Sequence, residues 1–175
     1  MTIEDYNQKN SQVRFLQEMG PNMQKIIKRL LANKKLLRLL YYTDKDPLSE
    51  QKEDVSKEVI YKDGITGLIR IVPRVSEREN SQSIITFRIL RGNPNEDNSS
   101  FLDIYFFVEI FCPLDQWVIK DENLRPYAIM SEVQQSLEGK EINGLGTISG
   151  SGFDANFFTE EIGAFYMRFK ISQFQ

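Results

Sequence analysis

Histidine is absent from this 175-residue chain, and cysteine occurs once, as Cys112. No Ser-His or Cys-His pair can therefore form within one chain, nor a zinc site built on histidine or paired cysteine. A single thiol cannot close an intrachain disulfide, so nothing requires an oxidising compartment. Long apolar runs are missing too, and none approaches the roughly 20 residues needed to span a bilayer. Met1-Thr2-Ile3-Glu4-Asp5-Tyr6 is polar and acidic, unlike a signal peptide. There is no excess of cations either. Lys+Arg number 22 against Asp+Glu 25, for a net charge of −3. Nucleic-acid binding by the whole molecule is disfavoured, because phosphate contact needs a positive field; a local basic patch stays open. These absences predict a soluble intracellular protein without catalytic residues, cofactor or metal.

What is present is a globular balance, 41% hydrophobic and 27% charged, fitting one domain over residues 1–175. Residues 1–20 read as a mobile N-terminal segment, with a helical turn at Gln12–Met19 stopped by Gly20-Pro21. From Asn22 to Tyr42, Met23, Ile26, Ile27, Leu30, Leu37 and Leu40 recur at helical spacing and predict one long helix. Residues 43–58 and 92–100 are charged or rich in Gly, Asn and Pro, and read as long surface loops. Strands are predicted at Ile65–Val72, with Pro73 marking an edge or bulge, and at Ser83–Leu90. Phe101–Cys112 is the strongest strand, with Ile104, Phe106, Val108 and Ile110 on one face and Asp103, Tyr105, Phe107, Glu109 and Phe111 on the other. Pro126 opens a second helix whose stripe is Ile129, Met130, Val133 and Leu137, and Gly139 ends it. Thr147–Phe158 and Ala164–Ser172 form a closing pair of strands. The order predicts an α+β fold, a mostly antiparallel sheet with helices against it.

Chemistry-bearing patterns are few. Gly144 to Gly152 contains four glycines but no closing Lys-Ser/Thr, so it reads as a turn or bulged strand rather than a phosphate loop. Asp103 and Glu109 share a strand face about 20 Å apart, too far to work together. Cys112, with no histidine to activate it, reads as an inert buried thiol. Lys25, Lys28, Arg29, Lys34, Lys35 and Arg38 make the one local charge excess, a patch for an acidic partner surface or a nucleic-acid backbone. Tyr105, Phe107 and Phe111 would face water on a sheet covered on one side, and are candidates for a subunit interface.

The order of elements resembles the tail-terminator and tail-completion proteins of long-tailed bacteriophages. The resemblance lies in a leading helix like Met23–Leu40 and an apolar strand like Leu102–Ile110. It continues in a helix ending in a Leu-polar-Gly step, as in Val133–Gly139, and a closing strand like Phe165–Ile171. It implies a homo-oligomeric ring, usually a hexamer, at the head-tail neck of the virion. Such a ring caps the tail tube and docks to the connector, while genomic DNA passes the lumen without specific binding. A head-tail connector or a tail-tube subunit on a similar fold is the nearest alternative. Two others are a non-viral binding module using the basic helix and a small carboxylate enzyme.

Overall fold

A computed structural model describes residues 3–71, 82–95, 101–143, 145–157 and 159–174. The expectations for Val72, Pro73, Ser76–Ser81, Glu96–Ser100, Gly144 and Phe158 lie outside these residues. Four helices appear in chain order: α1 (Ile3–Leu30), α2 (Lys34–Tyr41), α3 (Lys57–Ile60) and α4 (Arg125–Leu137). The strands are β1 (Ile69–Arg70), β2 (Ile84–Pro94), β3 (Phe101–Pro113), β4 (Glu141–Ile142), β5 (Gly146–Phe157) and β6 (Ile162–Phe174). They form one six-stranded sheet in the order β1-β2-β3-β6-β5-β4. Only the short β1–β2 pair is parallel, so the fold is α+β with a mostly antiparallel sheet, as the pattern predicts.

The period-2 alternation of β3 decides which side becomes core. Ile104, Phe106, Val108 and Ile110 are buried together with Phe165, Met167, Phe169 and Ile171 of β6. Their rings and branches meet across the pair, with Phe106 stacked on Phe169 at 5.4 Å between centroids. The α4 stripe Ile129, Met130, Val133 and Leu137 is buried in the same core, and α4 touches β3 and β5 on one side and α1 and α2 on the other.

Three element boundaries depart from the sequence reading. Helix α1 starts at Ile3 and runs through Gly20-Pro21, so the chain before Asn22 is helical rather than a short turn. Gly20 and Pro21 are both exposed, so neither interrupts core packing, and the preceding run is rich in helix formers. The predicted helix over Asn22–Tyr42 breaks at Leu31–Asn33. Asn33 accepts a hydrogen bond from Leu36 N at 3.1 Å and caps α2, while its own Nδ2 donates to Glu132 Oε2 at 2.9 Å and Ser136 Oγ at 3.0 Å on α4. The strand expected from Ile65 shrinks to Ile69–Arg70. Asp63 Oδ1 accepts from Ile65 N and Thr66 N, each at 2.7 Å, and Gly64 adopts φ +78, so this stretch closes on itself as a turn.

Arg125, the first residue of α4, is fully buried. Its guanidinium donates to Gln116 O at 2.9 Å, Leu39 O at 2.8 Å, Tyr42 O and Asp44 O. Burial pulls its pKa below the ordinary arginine value. Four carbonyls from the end of α2, the following loop and the turn after β3 thus converge on one cation. We expect Arg125→Met to orphan those acceptors and destabilise the fold by about 3–5 kcal/mol. For a chain of this length that is a fall of roughly 10 °C in Tm by thermal melt. Arg125→Lys, unable to fork, should lose a large part of the same stability.

Candidate functional site

The sheet face opposite the helices carries the aromatics singled out in the sequence. Tyr105 and Phe107 are half-buried, and Phe107 packs on Tyr166 of β6 with centroids 4.9 Å apart. Cations roof them: Arg88 lies over Phe107 at 5.6 Å, Arg91 over Tyr105 at 4.6 Å and Lys170 over Tyr105 at 5.8 Å. Carboxylates balance most of these cations. Glu109 pairs with Arg88 and accepts from Thr86 Oγ1 at 3.0 Å, and Asp154 pairs with Arg168 at 3.2 Å. Phe111 does not join this surface. It sits between its cross-strand neighbours Ile84 and Ala164 and is 7% exposed, which corrects the expectation that it faces water.

Asp103, also on this face, is 5% exposed and accepts from Ser172 Oγ at 2.7 Å, Asn95 Nδ2 at 3.0 Å and Lys170 Nζ at 2.7 Å. Burial pushes its carboxyl upward, but Lys170, Ser172 and Asn95 together outweigh burial and hold it below the ordinary value. Asp103 and Glu109 thus serve separate clusters. Among the described residues no group of three His, Cys, Asp or Glu side chains could hold a metal. Cys112 is fully buried, and burial pushes its thiol up to about 11. The glycine run forms the start of β5, with a bulge between Gly150 and Gly152, as the bulged-strand reading expects.

The basic patch is divided by the break between α1 and α2 at Leu31–Asn33. On α2, Lys34 pairs with Asp54 at 2.6 Å, half-buried Arg38 donates to Ser49 O, and Lys35 points to solvent. Arg38 thereby secures the 43–58 segment rather than presenting charge. Lys25, Lys28 and Arg29 of α1 instead line a cleft of about 640 Å³ with Asn33, Gln135, Ser136 and Lys140. Sequence reasoning missed Lys140, whose one local signal is its place next to the helix-ending Gly139. It also missed Tyr166 and the arginine roof, which follow from the pairing of β2, β3 and β6.

Among the described helices none is long and apolar enough to cross a membrane. The YomW family model, whose name is of the Bacillus prophage type, matches residues 33–171. No curated protein matches the chain.

Two outcomes check this chemistry. Cys112 should resist iodoacetamide at pH 8 in the native protein and react only on unfolding, as mass spectrometry would read. Asp103, its folded pKa depressed, contributes stability above the ordinary carboxylate value of 3.8 that is lost as pH falls through its folded value. Asp103→Asn should therefore lower Tm at pH 7, and the gap to the wild type should narrow as melts are taken from pH 4 toward pH 2.

Proposed function

The chain belongs to the YomW family and is phage-associated, and on that premise we propose that it is a non-enzymatic structural subunit of a phage particle. The finer assignment is the tail terminator. Copies close into a ring, usually a hexamer, at the head-tail neck of the virion, cap the tail tube and meet the connector. Genomic DNA passes the lumen without specific binding.

The observation that carries this reading is a sheet whose two sides, among the described residues, are each only partly paired. Among the described residues β1 pairs with β2 only at Ile85 and Thr86, and β4 pairs with β5 only at Gly146 and Thr147. Beyond these points the outer edges of β2 and β5 have no described strand beside them. A closed ring of identical subunits needs two different surfaces on each copy, one to give and one to receive. Edges on opposite sides of one sheet have that relation. The sheet alternates in direction from β2 through β3 and β6 to β5. A β5 edge laid on the next copy's β2 edge would therefore continue the antiparallel ladder. Exposed Phe153 on β5 and Leu90 on β2, at 58% and 44%, add apolar area to these edges, and half-covered Tyr105, Phe107 and Tyr166 lie on the sheet face between them.

Light scattering across a concentration series with negative-stain imaging tests the assembly. The expected result is rings of about six subunits with a central hole. Phe153→Lys should shift the population to folded monomer. A phage lacking the gene should leave unjoined heads and tails. A strict monomer, with the protein absent from purified particles, would overturn the proposal.

A further inference from the structure

The cleft at the C-terminal end of α1 brings together Lys25, Lys28, Arg29 and Lys140. None of the four has an ion pair among the described residues. By contrast Lys34, Lys52, Arg88, Lys120, Arg168 and Lys170 each hold a carboxylate within 4 Å. The nearby acids are largely turned elsewhere. Glu132 Oε2 accepts from Asn33 Nδ2 at 2.9 Å, and Glu138 Oε2 accepts from Gln134 Nε2 at 3.0 Å and from Gly150 N, which leaves Glu141 as the one acid lining the cleft. On a chain of net charge −3 this is a local reversal of field. Favourable interaction with the end of α1 explains Lys28 and Arg29, which lie in its last turn. It explains neither Lys25, a turn earlier, nor Lys140, on another segment.

We propose that this cleft binds the phosphodiester backbone of duplex DNA without reading sequence. From Lys25 to Arg29 the helix rises about 6 Å, the axial span of roughly two phosphates along one strand. Asn143 stands beside the cations as a neutral hydrogen-bonding group suited to phosphate oxygens, while the Asn33 amide and the Ser136 hydroxyl are engaged with α4 and hold the cleft wall in place. No aromatic side chain lines the cleft, so bases have nothing to stack on, which favours a duplex over a single strand. The phage association makes DNA the polyanion at hand, but the site stands apart from ring closure.

The test is fluorescence anisotropy of a labelled random-sequence duplex titrated with the full chain at 50 and 200 mM salt. Four cations predict a log–log salt slope of about −3 to −4, a weakening of roughly 10²-fold between the two conditions. Lys25→Gln with Lys140→Gln should reduce the slope by about 1 for each cation removed. The triple variant Lys25→Gln, Lys28→Gln, Arg29→Gln should abolish binding while its circular dichroism and melt stay native. Lys35→Gln, on α2 outside the cleft, should bind as the wild type does. No binding at 50 mM salt, binding unchanged in the double variant, or binding of a poly-glutamate peptide in place of DNA would each overturn the proposal. Rings that form without binding DNA would overturn it too, and would leave the neck assignment standing.

Discussion

The guanidinium of Arg125 sits where the end of α2, the loop that follows it and the turn after β3 come together, and it donates to all three. The last carbonyls of a helix have no partner within it and carry the negative end of its dipole. Leu39 O and Tyr42 O therefore accept from a cation where the chain leaves α2. Its hydrogen bonds go to backbone carbonyls, the carboxylates of Asp44 and Asp115 lie near enough to favour its charge, and its removal leaves several buried acceptors empty at once. Because Arg125 is also the first residue of α4, the same contact fixes where the helix that lies on the sheet begins. The placement of Ile129, Val133 and Leu137 over the sheet follows from it.

The sheet face away from α4 obeys different physics. Its aromatics lie beneath Arg88, Arg91 and Lys170, of which Arg88 is paired with Glu109 and Lys170 with Asp103, and Arg168 beside them is paired with Asp154. Paired charge over aromatic carbon gives a weak net field but much area that gains by losing water, a composition suited to contact with protein. The cleft at the end of α1 is the reverse, its cations holding no carboxylate among the described residues and no aromatic ring lining it. One small chain therefore carries a surface near charge balance and a surface that is not.

Much of the fold could be read from the chain because its sheet is built on simple alternation. β3 and β6 differ from their predicted bounds by one or two residues, and α4 starts at Arg125, beside the predicted Pro126, and ends before Gly139. The misses come where side chains compete for the backbone. Asn33 can continue a helix or cap the next one, and only its bonds to Glu132 and Ser136, about a hundred residues away, decide for the cap. Asp63 captures two backbone N–H groups that a longer β1 would need. Phe111 is buried by its cross-strand neighbours, which parity along one strand cannot show. Of the six basic residues grouped by sequence, three reach the cleft. Arg38 is drawn to Ser49, and Lys140 enters from the other end of the fold.

Lys140 also links the two surfaces. Its carbonyl accepts from Ile148 N at 3.1 Å, and Gly139 N donates to Ile148 O at 2.9 Å. Gly139, with φ +66, takes the left-handed conformation that lets the chain reverse directly after α4. The turn thereby seals the β5 edge as far as Ile148 and delivers the lysine to the cleft. Just past that seal comes the bulge at Gly150 and Gly152, and the strand continues with its outer edge beside no described strand. A bulge increases local twist and bends the edge it lies on. An edge of this kind pairs with a partner that approaches at an angle more readily than with a flat one. Neighbouring copies in a closed ring meet at an angle, whereas copies in a flat stacked sheet do not, so the short reversal that sets the cleft's fourth cation also leads into the edge on which the proposed ring would close.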